Sequence, residues 1–342
     1  MSLTNRPIAL TIGVFDGLHR GHQAIVAAVV KAARERGGAA WVATFDPHPD
    51  AVVRGTEERP WITPPEERAA LLHGLGVDRV EVIRFDRSVS ALLPEEFLDR
   101  ILGPNAPLST LVVGPDFKMG RGRVGDRAYL EALGRKRGFE VVEVPLLPSG
   151  TSPRASDPPA GSAPSPAASL APSVAPSLMK ISSTQLRRAI EEGRMEDAEA
   201  LMGRPYALEG TVGSGAGRGT DLGFPTANLE IHPKKLLPPA GIYLSENEMP
   251  GGWARGLTYV GSAPTFGPGP TRVEVFLVDY QGSLRGLSVK TLLRSKLRAD
   301  KAFGSSEELV RAMREDVARA REFWARSAPE AAPGAGGSHH RP

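Results

Sequence analysis

His19 and His22 stand three residues apart in TIGVFDGLHRGHQ, among Gly13, Gly17 and Gly21. The segment leaves an apolar run at residues 8–15 and enters a helical pattern. Glycines there let the backbone come close to a ligand. Three readings fit. As metal ligands, histidines at i and i+3 need a third and fourth donor, usually His or an acid. As phosphate ligands, they need only face a helix N-terminus, whose free N–H groups already favour anions. The third reading is a tight turn with two surface histidines. The Gly-rich strand-to-helix turn favours phosphate.

A second chemical stretch is LGFPTANL, residues 222–229, after the run GSGAGRGTD. No GxxxxGK[ST] occurs anywhere in the chain, so phosphate binding here is not of the P-loop type. A Gly-rich loop still offers backbone N–H groups to phosphates, and Gly217, Arg218 and Gly219 are its candidates. Thr226 and Asn228 flank Ala227 with hard oxygen donors, which suits Mg2+ held mostly by substrate phosphates. Alternatively, PTAN is a strand-entry turn with Asn228 as a local cap. GRGRVG, residues 120–125, matches GxGxxG in letters. It lies several residues beyond its strand and carries two arginines, so it is not read as a dinucleotide fingerprint.

These residues need a scaffold. The first 147 residues alternate apolar runs at 8–15, 40–45, 79–85, 110–114 and 140–147 with helical patterns at 23–36, 65–74, 94–102 and 126–137. In the first helix Ile25, Val26, Val29, Val30 and Ala33 form one face. The alternation predicts a parallel sheet covered by helices, with its ligand site beyond the carboxyl ends of the strands. Residues 149–177 are Pro, Ser, Ala and Gly with almost no large apolar side chains, a composition that predicts disorder. Helical periodicity resumes in ISSTQLRRAIEEGR, where Ser182 or Ser183 supplies the N-cap. From Tyr206 the pattern becomes short alternating runs at 206–212, 241–245, 253–260, 272–279 and 284–293. That spacing predicts a small antiparallel barrel or sandwich. A last helix, 306–324, opens on the capping signal Ser305-Ser306-Glu307-Glu308, and a disordered tail follows.

The 342 residues suit two domains. With no cysteine, disulfides, thiolate nucleophiles and Cys-type zinc sites are excluded, and a reducing cytoplasm fits. There is no run of about 18 apolar residues for a membrane span and no secretory signal pattern. The net charge of +3 is spread among acids rather than gathered on a basic face, which argues against a nucleic-acid partner. Any self-association is expected to be weak.

GVFDGLHRGH resembles the HxGH signature of adenylyltransferases. More narrowly, the chain resembles the bacterial bifunctional riboflavin kinase/FAD synthetase family through GVFDGLHRGH, FDPHP, GPDFKMGRGRVGD and ISSTQLR. In the same order follow LGFPTANL, PPAGIY, YVGSAPTFG, RVEVFLVDY and LRADKAF. The resemblance implies a Rossmann-like α/β nucleotidyltransferase domain at 1–204, with the disordered insertion 149–177 inside it. A small antiparallel β-barrel riboflavin kinase domain with a C-terminal helix follows at 205–327, then a tail at 328–342. It further implies that His19 and His22 are catalytic in adenylyl transfer, and that Gly13, Phe15, Asp16, Gly21, Asp116, Ser182, Ser183, Thr184 and Arg187 hold ATP. Asp46 and His48 would lie near the flavin. In the barrel it implies Glu274 as general base, Gly217, Arg218, Gly219 and Thr226 at ATP, Thr226 and Asn228 at Mg2+, and Arg298 and Phe303 over the flavin. Glu274 reads equally as an outward strand residue between Val273 and Val275. Met119 and Thr220 stand where the family carries an aromatic residue and an Arg. Those departures set the alternative, a homologue with one of the two activities impaired.

Overall fold

A computed structural model describes residues 6–103, 106–145, 181–213, 223–262 and 271–326. The predicted disorder at 149–177, the tail at 328–342, and Gly217, Arg218, Gly219 and Thr220 lie outside the described residues.

β1 (Ile8–Ile12), α1 (Arg20–Glu35), β2 (Ala39–Asp46), α2 (Pro49–Arg54), α3 (Pro65–Gly74), β3 (Arg79–Arg84), α4 (Arg87–Ser90), α5 (Pro94–Leu102), β4 (Leu108–Val113), α6 (Arg127–Arg137) and β5 (Glu140–Glu143) follow in order. The strands make one parallel sheet, ordered β3-β2-β1-β4-β5. All five residues of β1 and seven of the eight in β2 are buried, as a sheet covered on both faces requires. Val26, Val29 and Ala33 press α1 onto it. Chain order reverses between β1 and β4, so the switch point, where α/β sheets bind ligands, lies there.

At the first strand-to-helix turn both boundaries differ from expectation. β1 stops at Ile12 rather than at residue 15, because the backbone turns: Phe15 and Leu18 take φ of 51° and 40°. That turn brings the helix start forward to Arg20. At Gly17, φ is 77° and a Cβ would come 2.5 Å from Leu186, so both conformation and space require glycine.

α7 (Ser183–Glu191) and α8 (Met195–Met202) lead into β6 (Tyr206–Val212), β7 (Thr226–Ile231), β8 (Gly241–Met249), β9 (Gly252–Gly261), β10 (Arg272–Leu277) and β11 (Ser288–Ala299). These six strands close an antiparallel barrel in the order β10-β7-β6-β11-β8-β9. Closure leaves no free edge. α9 (Ser306–Arg326) lies outside, with Ala320 and Trp324 packed on Leu244 and Leu257. The buried faces of α7 and α8 (Leu186, Ala189, Ile190, Met195, Ala198, Met202) share one core cluster with Ile62 and with Tyr206 and Leu208 of the barrel. The helix pair thus joins both halves of the molecule.

Candidate active sites

A cavity of about 330 Å3 opens at the carboxyl ends of β1 and β4. The β1–α1 turn gives it Gly13, Phe15, His19, Gly21 and His22; the loop after β4 gives Asp116; the start of α7 gives Ser182 and Ser183. Two helix N-termini therefore meet there. His19 is the N-cap of α1, and its Nδ1 accepts from the His22 N–H at 3.3 Å. That leaves Nε2 as the N–H of a neutral ring. The two imidazoles stack at 3.6 Å between centroids, with Phe15 edge-on to His22 at 5.2 Å. Ser182 caps α7 in a reciprocal box with Gln185.

Burial pushes the His19 pKa down to about 4, assisted by the Arg204 charge and opposed by a backbone hydrogen bond. His22 lies well below the usual value, through burial first and then the His19 and Arg68 charges. The His22 Nδ1 is buried without a hydrogen-bond partner among the described residues. Because the folded His19 pKa is depressed, the unfolded chain takes up protons first as pH falls through about 6.5. Stability is therefore lost between there and the folded pKa of about 4. From pH 7 to pH 5, His19 is expected to remove about 2 kcal/mol of stability. Urea denaturation at the two pH values checks this, and His19→Asn should reduce the dependence by about that amount, leaving the share of His22.

Asp16 is buried and engaged away from the cavity. Its carboxylate accepts from the Thr63 N–H at 2.9 Å and from Arg187 Nη2 at 3.0 Å. The Ser183 hydroxyl donates to the Asp16 carbonyl at 3.0 Å. Asp16 and Arg187 thus tie α7 to the β1–α1 turn. Thr184 is exposed and does not line this cavity. Asp46 and His48 stand at the carboxyl end of β2 and do not line it either. His48 caps α2 through Asp50 N–H, with its ring 5.8 Å from Trp61. Burial lowers its pKa, and Asp50 and Asp16 oppose the change. Met119 packs in the core, bonded through its backbone to Gly125 at 3.1 and 3.0 Å, so the departure there falls on loop packing.

Sequence reasoning missed Arg68, which is fully buried under this site. It donates to the carbonyls of Val14 at 2.6 Å and Phe45 at 3.1 Å, and lies 4.6 Å from the centre of the Trp61 ring. The available signal was its place four residues before buried Leu72, on the inward face of α3.

The second site is on the barrel. Val273, Val275 and Leu277 of β10 join the barrel core, so Glu274 and Phe276 alternate to the outer face. Glu274 lies opposite Asn228 of β7, and Thr226 Oγ1 donates to Glu274 Oε2 at 3.2 Å. α9 covers this face. A cleft of about 50 Å3 holds Thr226 and Glu274 with Phe224, Tyr259, Met313 and Asp316. The outward reading of Glu274 and the pocket reading are compatible, because the pocket lies outside the barrel, under the helix. Thr226 and Asn228 also border an adjoining cavity of about 380 Å3 with Gly213 and Arg285. Arg298 and Phe303 do not line the cleft. Arg298 instead grips Asp316 of α9 with contacts of 2.9, 3.0 and 2.8 Å, and its guanidinium lies 5.8 Å from the Phe303 ring. Among the described residues no group of three His, Cys, Asp or Glu could hold a metal, so the histidine pair has no third ligand of that kind.

The FAD synthetase family matches residues 2–156, and the riboflavin kinase family matches residues 202–324. A bifunctional riboflavin kinase/FMN adenylyltransferase from Escherichia coli strain K12 is 31% identical over 326 residues, covering 94% of each chain. The chain belongs to the bifunctional riboflavin kinase/FMN adenylyltransferase family. Family members from Pseudomonas fluorescens, 34% identical over 95% of each chain, and Bacillus subtilis, 29% over 92%, agree. Both modules of this transferase family are present, and no comparison supports a homologue with one of them impaired. A solved structure of a macrolide-efflux protein from Streptococcus pneumoniae shares the fold with a TM-score of 0.72 and 25% identity, over 93% of this chain and 96% of that one. Among the described residues no helix is long and apolar enough to cross a membrane.

Proposed function

We propose that this chain makes FAD from riboflavin in two steps, with the domain boundary at residues 204 and 205. In the barrel, Glu274 takes the proton from the terminal ribityl hydroxyl of riboflavin. That oxygen attacks the γ-phosphorus of ATP, and ADP leaves. In the first domain, a phosphate oxygen of FMN attacks the α-phosphorus of a second ATP. The bond to pyrophosphate breaks, with no covalent enzyme intermediate. His19, His22 and the N-termini of α1 and α7 stabilise the charge on the phosphoryl oxygens. Gly13, Phe15, Gly21, Asp116, Ser182, Ser183, Thr184 and Arg187 would hold this ATP, with Asp16 aiming Arg187, and Asp46 and His48 would face the flavin. The observation that carries the reading is two separate built sites. One is a cavity where two helix N-termini and a neutral histidine pair converge. The other is a carboxylate beside a threonine under a covering helix.

Thr226 and Asn228 supply oxygen donors on one face of β7 beside the Glu274 carboxylate, a hard donor set that fits Mg2+. When bound, the ion would offset phosphate charge. Gly217, Arg218 and Gly219 would cradle the kinase ATP, while Arg298 and Phe303 would order the rim toward the flavin. The partners are riboflavin, FMN and ATP. No nucleic-acid partner is assigned, and self-association is expected to be weak. A cysteine-free sequence suits the cytoplasm as the place of work. Purified protein given riboflavin, ATP and Mg2+ should form FMN and then FAD. FMN accumulating without FAD would defeat the first-domain assignment; no FMN at all would defeat that of the barrel.

A further inference from the structure

The turn before His19 is held by a residue from outside its own sheet. Phe15 and Leu18 adopt left-handed backbone there. Such conformations cost a residue with a side chain on the order of 1–3 kcal/mol and persist where surrounding contacts over-determine them. Arg204 makes those contacts: Nη1 donates to the Leu18 carbonyl at 3.0 Å and Nη2 to the Gly17 carbonyl at 2.9 Å. The Gln23 side chain adds donations to Leu18 O at 2.9 Å and Met202 O at 2.6 Å.

Arg204 lies between α8 and β6, two residues before Tyr206. Tyr206 is buried, and its hydroxyl donates to Leu236 O at 2.6 Å, so this end of the segment is fixed in the barrel. The nearby acid Glu67 is taken by Lys235 at 2.6 Å. Arg204 is therefore committed to the two turn carbonyls rather than to a carboxylate. Its planar fork can serve both at once, which a lysine cannot.

We infer that Arg204 is a positioning residue for adenylyl transfer, fixing the strained turn so that His19, His22 and the α1 N-terminus face the cavity. This rests on the reading of the first domain as the adenylyltransferase. It makes that reaction, and not riboflavin phosphorylation, depend on how the segment joining α8 to β6 is held.

The test is kinetic, on the full chain. In Arg204→Met, kcat for adenylylation of supplied FMN is expected to fall about 10- to 100-fold, with KM for ATP and FMN within about threefold. Riboflavin phosphorylation should stay within about twofold. Arg204→Lys should recover part of the loss through one donor, and added guanidinium should recover part of it in Arg204→Ala. An adenylylation kcat within about twofold of wild type in Arg204→Met would overturn the inference. So would an equal loss of both activities, or a loss that neither Arg204→Lys nor guanidinium relieves. A wild-type protein unable to adenylylate FMN would instead defeat the underlying assignment of the first domain.

Discussion

Glu274→Gln is expected to stop riboflavin phosphorylation while adenylylation of supplied FMN continues. The substitution keeps shape and volume. Thr226 Oγ1, which donates to the carboxylate at 3.2 Å, would still find an oxygen acceptor on the amide. Val273 and Val275 on either side carry the buried packing of β10, so the barrel loses nothing from its core. What disappears is the proposed proton acceptor. General-base catalysis is worth typically 10²- to 10⁴-fold, and a kinase rate reduced by about that factor with an unchanged melting temperature is the expected pair of results. Adenylylation should stay within about twofold, because the cavity proposed for it is built from β1, β4, α1 and α7. Parallel loss of both activities would contradict separate sites. A kinase rate near wild type would remove Glu274 as the base.

The elements were legible where burial wrote a period into the sequence. β1 and β2 are buried on both faces and read as apolar runs, and α1 carries its buried stripe at Val26, Val29 and Ala33. Pro225 and Asn228 look like turn chemistry, which hides β7 in the sequence. Pairing with β6 and β10 makes it a strand, with Thr226, Asn228 and Glu230 alternating against Ala227, Leu229 and Ile231. β11 was expected to end at residue 293. Two register shifts against β8 let it run on to Ala299 although apolar alternation has ceased. α2 buries none of its six residues, so no apolar stripe could announce it.

In the sites, His19 and His22 were visible because one short stretch carries both. Arg68, Gln23 and Arg204 were not, because their partners are backbone carbonyls, which leave no mark on the sequence. Arg298 shows the converse. Its position was picked out, but its grip on Asp316, on a helix 18 residues further along, depends on how α9 folds back over the barrel.

His19→Asn and His19→Ala together should separate two roles that one side chain combines. His19 caps α1 through Nδ1, so replacement by alanine removes both the cap and the imidazole. Asparagine is itself a strong N-cap and restores the acceptor for the His22 N–H without restoring the ring; loss of a cap to alanine costs about 1 kcal/mol. If the ring donates to the phosphoryl oxygens in the transition state, both variants should lose about 10²- to 10³-fold in kcat for adenylylation, as removal of one such donor does. The alanine variant alone should also lose about 1 kcal/mol in urea denaturation at neutral pH. Riboflavin phosphorylation should be unaffected in both. His22 supports the role of the pair, since its buried Nδ1 has no partner among the described residues and the ring stacks on His19 at 3.6 Å. An asparagine variant with wild-type adenylylation would reduce His19 to a helix cap. The phosphates would then fall to His22 and the N–H groups of α1 and α7.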